Sequence, residues 1–210
     1  ISFTWKWNYL KSMFRFSLPM VPAVALGWLN NNAGRLLMLR YLTLSDIGLV
    51  TIALKVTSLF SIIEGAFLMA WGPFMWEMFE KENHKQVYQT AMKITSFGIF
   101  LLVSEFALFG KEALYLLTTS DYMNAAPLIG FIGFSLGLRI ISKTIMLGAG
   151  ICKRTEFNTL TMFIVVCINF LMLFILIPVL GLIGVPLSLL ISSTAYIFIG
   201  WYISEKLYYI

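Results

Sequence analysis

LTMFIVVCINFLMLFILIPV, residues 160–179, is a run of twenty residues without one charged side chain. At about 1.5 Å of rise per residue, a helix of that length covers ~30 Å, the hydrocarbon thickness of a bilayer. Backbone groups cannot be left open in lipid, so the run reads as a transmembrane helix. Outward from it, five more mostly apolar stretches fall at about 14–42, 48–75, 91–109, 125–151 and 183–203. The expected fold is therefore an all-α membrane protein with six transmembrane helices. Residues 1–13 form an interfacial segment before the six-helix unit of 14–203, and 204–210 form its end. The first two stretches exceed the bilayer, so they must tilt, kink or protrude. Pro19 and Pro22 offer a cause for a kink in the first.

Composition agrees. Of 210 residues, 60% are hydrophobic, 16% aromatic and 12% charged, with a mean hydropathy of +0.87. Soluble domains carry about a quarter charged residues. Half that charge cannot cover a soluble globule, which excludes a soluble enzyme, a disordered chain and a disulfide-stapled secreted domain. Fifteen Lys and Arg against ten Asp and Glu leave a net charge of +5. Basic cytoplasmic loops account for that excess, so no nucleic-acid partner is expected. Cys152 and Cys167 form no spacing motif and read as small hydrophobes. The chain opens on Ile1, and Trp5, Lys6, Trp7 and Tyr9 interrupt any signal-like apolar core. It is expected to be part of a longer chain.

Loop charges orient the bundle. Lys6, Lys11, Arg15, Lys81, Lys85, Lys153, Arg154 and Lys206 lie on one side, and only Arg40 and Lys111 on the other. Eight against two place both ends in the cytoplasm. The WKWNY segment, 5–9, then sits at the headgroups, in contact with membrane lipids.

The informative residues are charges at membrane depth. Arg35 and Lys55 lie about 10 Å below the outer face on consecutive antiparallel spans. Arg139 falls near the middle of the fourth span, with Lys143 one turn deeper on the same face. Glu64 is near the middle of the second span, nine positions from Lys55 and on nearly the opposite face. A central Arg or Lys costs about 2.5–3.5 kcal/mol, so three uncompensated cations cost on the order of 8–10 kcal/mol against lipid. A water-filled cationic cavity that receives an anion resolves this. Snorkelling and structural pairing are the alternative, most readily for Lys143 and Glu64.

Trp28, Asn31, Asn32 and Arg35 recur at i, i+3, i+4 and i+7, one polar and aromatic stripe. Amides and an indole suit sugars, and a guanidinium suits phosphate. Interhelical hydrogen bonding by the amides is the other reading. Gly130, Gly133 and Gly137 read as helix packing. His84, the single histidine, lies in a charged turn, and the sequence holds no carboxylate pair, metal-ligand cluster or phosphate-cradling loop. No catalytic residue, metal site or cofactor is expected.

Five stretches in order carry a resemblance. They are FRFSLPMVP (14–22), RYLTLSDIGLVTIALKV (40–56), AWGPFMWEMF (70–79), LLTTSDYMNAAPLI (116–129) and LIPVLGLIGVPLSLLIS (176–192). Together they resemble the C-terminal half of bacterial oligosaccharide-lipid flippases, the O-antigen (lipopolysaccharide) and capsule exporters of the multidrug/oligosaccharidyl-lipid/polysaccharide exporter superfamily. One departure is Gly34 before Arg35, where relatives often carry an acidic residue.

The resemblance implies a bacterial inner-membrane transporter of two six-helix lobes, this chain being the second and the N-terminal lobe its partner. It also implies alternating access for a polyprenyl-diphosphate-linked oligosaccharide. Arg35 and Lys55 match positions where relatives keep a basic residue. Ion antiport in relatives makes Glu64 the candidate for a coupling proton or sodium ion. A multidrug antiporter is the nearest alternative, but it would want acidic cavity residues. A polymerase or ligase would need longer outer loops than 110–124, and a non-transporting scaffold or lipid-binding subunit remains a third class.

Overall fold

The computed structural model describes residues 7–18, 20–32, 34–79, 81–146, 154 and 156–207, with backbone alone for Asn8, Tyr9, Ser12, Arg15, Phe16, Met20 and Asn31. Pro19, Lys153, residues 1–6 of the interfacial segment, residues 208–210 and the Asn31 side chain lie outside the description. Among the described residues every regular element is helical.

The first expected span is divided among α1 (Trp7–Ser17), α2 (Met20–Asn32) and α3 (Gly34–Tyr41). Pro22 sits in the first turn of α2, where its missing N–H costs no helical bond. A capping box then starts α4 (Leu44–Thr57): Asp46 N–H donates to Thr43 Oγ1 at 3.2 Å, and Thr43 N–H returns a bond to the Asp46 carboxylate at 3.2 Å.

One residue, Ser58, separates α4 from α5 (Leu59–Phe79). Here the Thr57 hydroxyl donates to Ala53 O at 2.8 Å and the Ser58 hydroxyl to Lys55 O at 2.6 Å. Hydroxyls that bond back to helical carbonyls bend a helix. A straight helix of the 36 residues of Leu44–Phe79 would reach about 54 Å, so the stretch must tilt, kink or protrude to fit a bilayer.

The next helix, α6 (His84–Leu108), begins earlier than the apolar run. Its first turns are held down because Tyr88 is fully buried against Trp71, Met75 and Met78, and its hydroxyl donates to Met75 O at 2.6 Å. His84, expected in a turn, is the first residue of this helix. The segment between α6 and the next long helix contains α7 (Gly110–Leu117) and a 3-10 turn, Ser120–Ala125. In α7, Gly110 and Leu114 are buried while Tyr115, Leu116 and Leu117 are exposed, the pattern of a short interfacial helix.

The centre of the bundle is α8 (Ala126–Ile145), which packs on α4, α6 and the last helix. Gly137 permits this: a Cβ there would lie 2.6 Å from Val103 Cγ2 on α6. The charge-free run forms α9 (Glu156–Leu180), and α10 (Gly184–Leu207) packs along it after a 3-10 turn, Gly181–Ile183. Gly181 turns the chain with φ of 56°, and Gly184 lets it pass the Leu176 carbonyl, which a Cβ would approach to 2.6 Å.

Among the described residues four helical stretches are long and apolar enough to cross a membrane: Leu44–Phe79, His84–Leu108, Ser120–Ile145 and Glu156–Leu207. The last contains both arms of the α9–α10 hairpin. The first expected span contributes helices of 13 and 8 residues within 20–41, each too short alone. The protein is an all-helical membrane protein. Its large exposed side chains, Val24, Leu36, Phe97, Phe163 and Phe198 among them, are what a lipid-facing surface requires.

Candidate functional site

A cavity of about 340 Å³ opens between α2, α3, the α4–α5 junction, α8, α9 and α10. The chain reaches it from each side with polar groups. In the second stretch, Leu54, Thr57, Ser58, Ser61 and Glu64 line it, and they follow one another at helical spacing on one face. From α8 come Ser135 and Arg139, and from α10 come Ser192, Ser193 and Tyr196. From α2 and α3 come Asn30 and Arg35, and from α9 comes Asn169.

The charges divide into two kinds. Glu64 is bound by the Lys143 ammonium from α8, an ion pair whose side chains are 13% and 36% exposed. The carboxylate is thereby neutralised by a lysine that is not itself a wall of the cavity. Arg35, which is exposed, and Arg139, which is half-buried, form no ion pair with any described carboxylate. Two fixed positive charges thus remain in the cavity after the one described carboxylate there is accounted for.

The amides form a second feature. Asn169, 1% exposed, donates from Nδ2 to Asn30 Oδ1 at 2.9 Å. Its own Oδ1 has no hydrogen-bond partner among the described residues. Buried polar groups of that kind are uncommon, because an unmet acceptor keeps its full desolvation cost.

The structure brings together Arg35, Arg139 and Glu64, with Lys143 behind Glu64. It does not bring Lys55 to them. Lys55 is exposed and lines a separate pocket of about 210 Å³ with Ile52, Leu59, Leu117 and Thr118, between α4 and α7. Depth put Lys55 level with Arg35, but depth says nothing about direction. Lys55 follows Leu54 by one residue, about 100° around the helix from the row that faces the cavity.

Trp28 is 67% exposed and Asn32 spends its amide on the Trp28 carbonyl at 2.8 Å. Neither lines the cavity. The amides that do are Asn30, the first of three consecutive asparagines that suit no lipid-facing surface, and Asn169, which the sequence reading does not single out. Asn169 could have been noticed as the only amide of the charge-free run. Among the described residues no group of three His, Cys, Asp or Glu could hold a metal ion.

Searches of curated proteins and of solved structures return no match. A family model described as a polysaccharide biosynthesis protein matches residues 1–127, more than half of the 210-residue chain, including Asn30, Arg35, Lys55 and Glu64. This membrane protein belongs to the polysaccharide biosynthesis protein family.

Proposed function

We propose that the chain forms one lobe of an inner-membrane exporter that carries a polyprenyl-diphosphate-linked oligosaccharide from the cytoplasmic to the outer leaflet by alternating access. One observation carries the reading: two arginines without a described carboxylate partner line a largely apolar cavity walled by apolar helices. Such charges are costly at membrane depth unless water or an anion meets them. A diphosphate meets both, and a guanidinium offers it a planar pair of donors.

At 4 Å and an effective dielectric of 20, each charge pair gains about 4 kcal/mol. Desolvation offsets most of this, leaving about 1–3 kcal/mol per arginine. The cavity volume, about 340 Å³, falls in the range of small-ligand sites, roughly 300–1,000 Å³, and a second lobe would close it. The polyprenyl tail stays in lipid, where the outer faces of the helices are already apolar. A cationic drug as cargo is disfavoured, because Glu64 is already held by Lys143 and the remaining charges are positive. For the same reason a coupling proton or sodium ion at Glu64 would have to compete with an ammonium.

The test is surface-glycan display in a strain lacking its own exporter, with membrane levels checked by blotting. Arg35→Ala combined with Arg139→Ala should cut display tenfold or more. Full display by the double variant would overturn the reading.

A further inference from the structure

Lys55 is the membrane-depth cation that the central cavity does not use. It lines its own pocket of about 210 Å³, with Ile52 and Val56 of α4, Leu59 at the start of α5, and Leu117 and Thr118 at the end of α7. Its side chain is exposed and forms no ion pair with any described carboxylate. The other walls are apolar except for the Thr118 hydroxyl, which donates to Leu114 O at 2.8 Å. We propose that this pocket holds one anionic phospholipid of the bilayer, with its phosphodiester on the Lys55 ammonium and an acyl chain against Ile52, Val56, Leu59 and Leu117.

The mixture of one cation and apolar walls selects an amphiphile. A free phosphate would give up water to those walls and gain a single ammonium in return. A phospholipid already keeps its chains in hydrocarbon, so the walls cost it nothing. The pocket also lies at a suitable depth. Its α7 side has the pattern of an interfacial helix, with Tyr115, Leu116 and Leu117 exposed, and a lysine stem can carry its ammonium toward the headgroups.

Charge selects among amphiphiles. Lys111 and Glu112 of the first α7 turn do not line the pocket, so Lys55 is the one charge on its wall. One ammonium answers the single charge of a phosphodiester. A zwitterionic lipid brings its own cation and gains less from Lys55. A diphosphate carries more charge than one lysine answers, and two arginines line the central cavity instead.

Native mass spectrometry of the protein released from detergent micelles can count bound phosphatidylglycerol and phosphatidylcholine of identical acyl chains. Wild type should take its first phosphatidylglycerol about fivefold more tightly than phosphatidylcholine, equivalent to about 1 kcal/mol for one lysine near a membrane surface. Lys55→Ala should erase that preference while phosphatidylcholine binding stays within about twofold, and Lys55→Arg should keep the preference. No preference in wild type, or one that survives Lys55→Ala, would overturn the proposal.

Leu117→Glu leaves the lysine in place but sets a carboxylate in the same pocket, and it too should abolish the preference. Retention of the preference by this variant would overturn the proposal even if Lys55→Ala did not assemble. Glycerol phosphate in excess, or one equivalent of C55 polyprenyl diphosphate, should leave the first phosphatidylglycerol bound. Displacement by glycerol phosphate would make the pocket a free-anion site, and displacement by the diphosphate would assign it to the lipid-linked substrate. Either result would end the phospholipid assignment.

Discussion

The Lys143 ammonium donates to Glu64 Oε1 and ties α8 to α5 one helical turn from Arg139. Two residues 79 positions apart in sequence thus join the helices on which Glu64 and Arg139 line the cavity. The pair is only partly shielded, so its net contribution is modest, but loss of one partner strands the other charge.

Each single variant, Glu64→Gln or Lys143→Gln, should lower thermal stability in detergent by about 1–3 kcal/mol. The double variant should recover most of that loss. A double variant as unstable as the sum of the singles would show the two charges to be uncoupled.

Helix packing gives a second prediction. The Cβ of an alanine at 137 would meet Val103 Cγ2 at 2.6 Å and Ile99 Cγ2 at 2.9 Å. Overpacking of that kind costs about 1–3 kcal/mol. Gly137→Ala should therefore lower the melting temperature, and Gly137→Leu more so. Adding Val103→Ala to Gly137→Ala should restore most of the stability. Failure of that rescue would place the strain elsewhere.

The apolar runs make the helices legible because lipid forces an all-helical answer on any long stretch without charge. Breaks within them are less legible. The break at Ser58 accompanies hydroxyls that bond helical carbonyls, and Thr and Ser do so only in some contexts. Tyr88 extends α6 through a tertiary contact with Met75 that no local pattern signals.

In the candidate site, the cost of burying charge singled out Arg35, Lys55 and Arg139; the two arginines line the cavity and Lys55 does not. Asn169 was illegible for the opposite reason. A lone amide in an apolar helix reads as interhelical hydrogen bonding, and one end of it does make such a bond. Only the three-dimensional arrangement exposes the other end as unmet.

The charge asymmetry across the loops predicts an orientation with both ends in the cytoplasm. With Cys152 and Cys167 replaced by Ser, single cysteines at Ser45, Ser120 and Gly181 should react with an impermeant thiol reagent from outside intact cells. A cysteine at Asn83 should react only after permeabilisation. Labelling of Asn83 in intact cells would reverse the assignment of both ends to the cytoplasm.

The last prediction separates the arginines from Lys55. All three are cations at membrane depth in the sequence, yet the lysine opens toward Leu117 and Thr118 at the end of α7. A diphosphate bound in the central cavity would lie on another face of α4 from Lys55, where charge interactions fall off with distance and solvent. Arg35→Ala and Arg139→Ala should each weaken binding of C55 polyprenyl diphosphate about tenfold, in line with a net loss of about 1–3 kcal/mol. Arg35→Lys and Arg139→Lys should recover part of it, because the charge survives while the paired donors do not. Lys55→Ala should leave binding within about twofold of wild type. The measurement is a titration of each variant in nanodiscs at fixed ionic strength, after confirming equal melting temperatures. A tenfold loss with Lys55→Ala, matching the arginine variants, would mean that the diphosphate sits at the α4–α7 pocket, and the central cavity would lose its assignment as the phosphate site.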